Sequence, residues 1–137
     1  MTRAELIEKL ESAPGGSMGL SRVIAKAVGW INRGNSRKGE WFAPEDTRDG
    51  KPLLDSLRGT DVHREPPDFS RSIDAALTLV PEGCAWEMAN RINFQCDATV
   101  YGQDIFAGVE GMATPAIALC IAALKAQEKV GGWEEGE

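Results

Sequence analysis

The segment Thr114-Pro115-Ala116-Ile117-Ala118-Leu119-Cys120-Ile121-Ala122-Ala123-Leu124-Lys125-Ala126 limits what this chain can become more than any other stretch of it. Threonine is a good N-cap. Proline in the next position falls at the first helical residue, where its missing N–H costs nothing. Ile117, Cys120, Ile121 and Leu124 recur at helical spacing and form a stripe that must be buried. Ala116, Ala118, Ala122, Ala123 and Ala126 favour helix and permit close packing, in this domain or at a dimer seam. Gly131-Gly132 ends the run, and Trp133 and an acidic tail follow.

The residues before it change period from 3.6 to 2. Cys84, Trp86 and Met88 alternate with polar neighbours, and Phe94, Cys96, Ala98 and Val100 do so again. Strands are predicted over residues 84–89, 92–101 and 105–109, joined by turns at Asn90-Arg91 and at Tyr101-Gly102-Gln103-Asp104. This is an antiparallel meander. Ahead of it, Ser70 or Ser72 caps a helix with apolar positions Ile73, Ala76, Leu77 and Val80, stopped by Pro81-Glu82-Gly83.

The amino-terminal part reads as a helical hairpin over residues 1–29. Thr2 and Glu5 have capping-box spacing ahead of Leu6 and Leu10. Ala13-Pro14-Gly15-Gly16 breaks that helix, and Leu20, Val23, Ile24, Ala27 and Val28 stripe the next, up to a glycine stop at Gly29. Residues 30–69 are irregular: a basic, turn-rich run from Arg33 to Gly39, then Trp41-Phe42 as a short strand or an apolar plug. A polar stretch with Pro44, Pro52, Pro66 and Pro67 follows, in which Leu53, Leu54 and Leu57 could form one helical turn. Loops of that length are usually functional or mobile. The expectation is one α+β domain over residues 1–137: a three- or four-stranded antiparallel sheet packed between helices, with the irregular region at 30–69, a helix–meander–helix core at 70–130 and the acidic tail at 131–137.

Charge is divided unevenly. Residues 1–71 carry 12 Lys and Arg against 11 Asp and Glu, whereas residues 72–137 carry 3 against 10. The second half is therefore an acidic body, either as a solvated surface or as a face that docks on a basic partner. With a sequence pI near 4.9, broad nucleic-acid affinity is not expected. Met1–Leu10 alternates charged and apolar residues instead of forming a leader, and no apolar run approaches the ~20 residues that cross a bilayer. The three cysteines, Cys84, Cys96 and Cys120, read as free thiols of a reducing cytosol. No Cys-x-x-Cys pair accompanies the single histidine, His63, so no metal and no cofactor is implied.

The run Ser70-Arg71-Ser72-Ile73-Asp74-Ala75-Ala76-Leu77-Thr78-Leu79-Val80-Pro81-Glu82-Gly83, taken with the later helix from Ala113 to Ala126, resembles the phage ABA-sandwich domain family. The double helix Leu6–Val28 is also similar to the opening of such proteins. The similarity covers residues 3–28 and 69–127, and residues 30–68 depart from it. It implies a sheet held between helices and a phage or prophage origin, and with the free thiols the expected location is the host cell cytoplasm. It carries over no catalytic residues.

Three functional readings follow. The first is a non-enzymatic phage accessory protein that counters host defence by covering a basic host surface with its acidic half. The second is capture of a nucleotide-type phosphorylated signal. Arg33, Arg37 and Lys38 would take the phosphate, the helix N-terminus at Thr114 would add N–H donors, and Trp41 and Tyr101, beside turns, would stack on a base. Trp86 and Phe94 alternate with core positions and are expected to be buried. Third and last is a small hydrolase built on His63-Arg64-Glu65, with no Gly-x-Ser-x-Gly elbow to support it. Gly15-Gly16-Ser17-Met18-Gly19 could cradle an anion but lacks the end of a P-loop, so a turn joining two helices is favoured. Glu45, Asp46 and Asp49 lack the pattern of a calcium loop.

Overall fold

A computed structural model describes residues 2–32, 41–44, 47–48, 51–52, 66–91, 93, 95–102 and 104–129. Helix α1 is Arg3–Glu11 and helix α2 is Met18–Ala27. Thr2 caps α1 with a reciprocal box: its hydroxyl accepts from the Glu5 N–H at 3.1 Å, and its own N–H donates to Glu5 Oε1 at 2.8 Å. Those two bonds hold the Glu5 carboxyl below the usual glutamate range. Ser17 caps α2, and Gly29 follows its end at φ +108°, a conformation that favours glycine.

Four short strands follow. β1 (Ile31–Asn32) pairs with β2 (Trp41–Phe42), and β3 (Thr47–Arg48) pairs with β4 (Lys51–Pro52), both antiparallel. Trp41 and Phe42 are thus both a strand and an apolar plug, since both are buried. Helix α3, Ile73–Leu77, is capped by the Ser72 hydroxyl and is shorter than its apolar spacing predicts. Thr78 ends it, and Ile73 is 37% exposed.

The meander is β5 (Ala85–Asn90), β6 (Cys96–Gly102) and β7 (Ile105–Met112), in the order β5-β6-β7. The first turn lies later than the sequence predicts. Asn90 pairs with Cys96, so the reversal falls between these two residues. There the Asn93 side chain accepts from the Gln95 N–H and donates to Gln95 Oε1, and the Arg91 N–H bonds the Gln95 carbonyl. Local amide bonds of this kind compete with the ladder.

Helix α4, Pro115–Lys129, lies across β6 and β7 on one side and against α1 and α3 on the other. Every residue from Ala116 to Leu124 is buried. The α+β architecture and the three-stranded meander are as read from the sequence, but the sheet is not packed between helices as expected: among the described residues α4 is the middle layer, with the sheet on one side and the other helices on the other. Small residues line the sheet's inner face, with Cys96, Ala98, Val100, Ala107 and Val109 all buried. They let the alanine-rich helix approach closely.

Two polar ties hold the outer helices. Arg3, itself buried, donates to the Leu124 carbonyl and to Gln127 Oε1, each at 3.4 Å, and Gln127 Nε2 donates to the Leu79 carbonyl at 2.7 Å. The cation sits near the C-terminal end of α4, where the helix dipole favours it. The second tie fixes α2 to the chain that enters α3. Buried Ser70 accepts from the Ser17 N–H at 3.0 Å and donates to the Ser17 carbonyl at 2.8 Å. Ser21 Oγ lies 2.9 Å from Ser70 Oγ and donates to Asp68 Oδ1 at 2.7 Å. Asp68 also takes the Arg71 Nε at 2.6 Å.

Gly16 belongs to this second tie, because a Cβ there would stand 2.1 Å from the Ser70 carbonyl oxygen, whereas nothing lies within 4 Å of one on Gly15. Gly16→Ala is therefore expected to cost at least about 1–3 kcal/mol, the usual range for overpacking, and Gly15→Ala to fall within about 0.5 kcal/mol of the parent. Urea melts of the two variants decide this, and equal midpoints would refute the close approach.

Candidate functional site

The two sides of the meander differ in what covers them. Cross-strand partners share a face, so Trp86, Met88, Val100, Ala98, Ala107 and Val109 look toward α4. Ala85, Glu87, Ala89, Asp97, Thr99, Tyr101, Phe106, Gly108 and Glu110 look away from it. On that outer face Phe106 is 67% exposed, and its cross-strand partner Tyr101 is 37% exposed. Gly108 leaves a hollow between them and the acidic end of the sheet, because a Cβ there would touch Thr99 Oγ1 at 3.5 Å and the Phe106 ring at 4.0 Å. A groove of about 790 Å³ runs over this ground, lined among others by Glu87, Asp97, Thr99, Phe106, Gly108 and Glu110, and reaches Glu11 and Lys125 beyond β7.

The acidic end is organised by a bulge. Cys96 pairs with Met112 and Ala98 with Val109, so Glu110 and Gly111 stand opposite Asp97 alone. Gly111 takes φ +74°, and its N–H donates to Asp97 Oδ1 at 2.9 Å. Arg91 reaches the same carboxylate at 3.0 Å and Glu110 at 3.5 Å. The Gly111 bond first, and Arg91 after it, hold the Asp97 carboxyl below the usual aspartate range.

The two edges of the sheet also differ. On β7 the carbonyls of Phe106 and Gly108 accept from Lys129 and Lys125, with the Lys125 bond at 3.4 Å. Lysines at an edge block further pairing. A backbone whose Phe106 and Gly108 carbonyls point outward bonds β6 through residues 105, 107 and 109. By the alternation of an antiparallel ladder, β6 then bonds β5 through residues 85, 87 and 89. The main-chain groups of Trp86, Met88 and Asn90 therefore face out from the β5 edge, and no described element pairs with them.

Against this geometry the residues singled out by sequence separate. Arg33, Arg37 and Lys38 lie outside the described residues, as do His63, Phe94, Trp133, Leu53, Leu54, Leu57, Glu45, Asp46, Asp49 and the acidic tail. Trp41 is corrected: at 3% exposure, packed in β2 against the core, it offers no face to a base. Trp86 is corrected in the opposite sense. It does lie on the inner face, but α4 covers β6 and β7 and barely reaches β5, so the indole overhangs at 41% exposure. Tyr101 is on the open outer face. Thr114 caps α4, its hydroxyl accepting from the Ile117 N–H at 3.2 Å. Tyr101 and Thr114 are not brought together. Tyr101 is at the far end of β6 from Cys96, whose partner Met112 precedes Thr114, and five residues of strand span roughly 17 Å.

Sequence reasoning missed Phe106, Gly108, Glu87 and Glu110 as a surface. It also missed the Ser21–Asp68–Ser70 cluster. Both serines are fully buried, and the bonds above engage their hydroxyls, so this cluster is a tie within the fold. Among the described residues no group of three His, Cys, Asp or Glu side chains gathers to hold a metal, and no helix is long and apolar enough to cross a membrane. Comparison of the chain with protein-family models, with curated proteins and with solved structures finds no match.

The cysteines are ranked by burial. Cys120 is wholly enclosed, its thiol donates to the Phe69 carbonyl at 3.0 Å, and burial pushes its pKa up to about 12. Cys96 is also raised by burial, whereas Cys84 is only half-buried. A thiol-directed alkylating reagent at neutral pH is expected to label Cys84 first and to reach Cys120 only on unfolding, as peptide mass mapping would show.

The Asp97 anchor makes a second prediction. Its folded pKa is depressed, so its contribution is complete above the unfolded carboxylate value of about 3.9 and is lost as pH falls through the lower folded value. The Gly111 amide resonance should follow that titration, with a midpoint below about 3.9, and Asp97→Asn should abolish the movement.

Proposed function

We propose that the protein acts by binding, and that the outer face of the β5–β6–β7 sheet is the surface that meets a basic partner. One observation carries this reading: the aromatic pair Tyr101 and Phe106 stands uncovered on a sheet face whose other charged groups are mostly carboxylates. Exposed aromatic side chains beside a hollow are the usual anchors of an interface. Glu87 and Glu110 are exposed, and among the described residues Arg91 is the one cation of the meander itself, with Lys125 at the groove's far end paired to Glu11. The surface is thus complementary to a cationic one, and its charge steers association more than it sets affinity.

The resemblance to phage ABA-sandwich proteins supplies a setting for this reading: a phage accessory protein in the host cytoplasm that blunts a defence by covering a basic host surface. Capture of a nucleotide-type signal gains no support from Trp41 or Thr114, whose side chains are used by the fold.

The test is a nuclear magnetic resonance titration with a hexa-arginine peptide. Shifts should centre on Glu87, Tyr101, Phe106 and Glu110 and should weaken steeply as salt rises from about 50 to about 300 mM. Glu110→Lys and Phe106→Ala should each weaken binding about tenfold with little change in thermal midpoint, since both side chains are exposed. Shifts confined to the tail at residues 130–137, or binding by both variants as tight as by the parent, would remove this surface from consideration.

A further inference from the structure

Resting on that reading, we infer what form the basic partner takes. The β5 edge is a strand-docking site for an extended segment that alternates cationic and apolar side chains.

The argument begins with the contrast between the two edges. β7 has its outward carbonyls at Phe106 and Gly108 taken by lysines from α4. β5 runs in unbroken register from Ala85 to Asn90 with no proline, no lysine and no bulge, the devices that blunt an edge. Its residues are exposed except for Met88, which is partly so. Outward main-chain groups at Trp86, Met88 and Asn90 give a docking strand a row of partners at one fixed spacing.

The two faces beside that edge then set the chemistry of the occupant. On the inner face Trp86 overhangs α4 at 41% exposure with Met88 next to it, and apolar side chains of an added strand would cover both. On the outer face Glu87 stands between Ala85 and Ala89. Those alanines are low ground. Long side chains opposite them can lie across toward Tyr101 and Asp97, their cross-strand neighbours. An arginine over Tyr101 gains a cation–π contact, and one beside Glu87 gains an ion pair. Alternate side chains of a strand point to opposite faces, so an occupant that satisfies both is cationic at every second position and apolar between. A second copy of this chain fits less well. It would bring another Glu87 to the same edge and join two chains that each carry a net charge of −6.

The probe is an acetylated, amidated hexapeptide of alternating arginine and valine, with a peptide of three arginines followed by three valines as control. Amide exchange is followed residue by residue in the full chain. Alone, the protein should exchange slowly at residues 85, 87 and 89, which bond β6, and quickly at Trp86, Met88 and Asn90. The alternating peptide should slow those three by about tenfold or more, and the block peptide should not. Met88→Pro removes a docking donor but no bond to β6, and Glu87→Lys reverses the outer-face charge at an exposed site. Each should weaken the alternating peptide about tenfold while the chain stays folded by circular dichroism.

Binding with Trp86, Met88 and Asn90 still exchanging quickly would overturn strand docking and leave the sheet-face reading standing. Slow exchange at those amides in the protein alone, growing with concentration, would overturn it in favour of a second copy. No binding of either peptide up to about 1 mM would remove both readings together.

Discussion

A helix buried on every side is the constraint from which the rest of this fold follows. From Ala116 to Leu124 helix α4 meets no water, because the sheet lies on one side and α1 and α3 on the other. Each fully buried leucine or isoleucine there is worth roughly 1.5–3 kcal/mol relative to exposure. The helix can take that position only because its remaining residues are alanine and cysteine, small enough for several layers to approach one axis. Polar groups return where α4 emerges, at Lys125, Gln127 and Lys129, and each has a task at the boundary. Gln127 joins Arg3 and the Leu79 carbonyl, and the two lysines occupy the β7 edge.

Placing α4 over β6 and β7 also decides what is left open. One helix covers about two strands of a sheet, so β5 extends past it and Trp86 overhangs. Among the described residues the outer helices contact α4 and not the far side of the meander, where Tyr101 and Phe106 stay exposed. Antiparallel sheets tolerate that arrangement. What distinguishes this one is the content of the open face: an aromatic pair at one end, a glycine hollow in the middle, and carboxylates around a bulge at the other. The open edge thus follows from the limited width of α4, and the open face from the stacking of the described helices on one side of the sheet.

Local signals in the sequence were legible because they act over a few residues. Thr2 with Glu5, Ser72 and Thr114 all cap the helices their spacing implies, and the alternation through Cys96, Ala98 and Val100 marks the buried side of β6. Period alone also put Trp86 on the inner side of its strand, correctly, but face is not burial, and no local pattern says how far a covering helix reaches. Trp41 failed in the reverse way. It looked available beside a basic turn, yet it pairs with the β1 segment and closes the core. The Asn90-Arg91 turn was misplaced because Asn93 and Gln95 form their own hydrogen bonds and delay the reversal. The tie among Ser17, Ser21, Asp68 and Ser70 joins residues 47 to 53 positions apart, and nothing in the spacing of single serines announces it.

The exposed aromatics bear on how such a surface would work. A phenylalanine that is two-thirds exposed contributes little to folding. Covering the rest of its side chain is worth roughly 2–3 kcal/mol at the usual coefficient for apolar area. That gain is available only to a partner that excludes water from the Gly108 hollow, so it rewards fit and not charge alone. The carboxylates have a complementary part. Asp97 is committed to the bulge by Gly111 and Arg91, and Glu110 shares that Arg91 at 3.5 Å, which leaves Glu87 as the carboxylate of this face most open to exchange water for a cation. Steering would then come from the net acidity of the whole second half of the chain, and discrimination from a small number of residues around one glycine. A partner that is merely basic would be drawn in quickly and leave quickly, and only one that also covers Phe106 would stay.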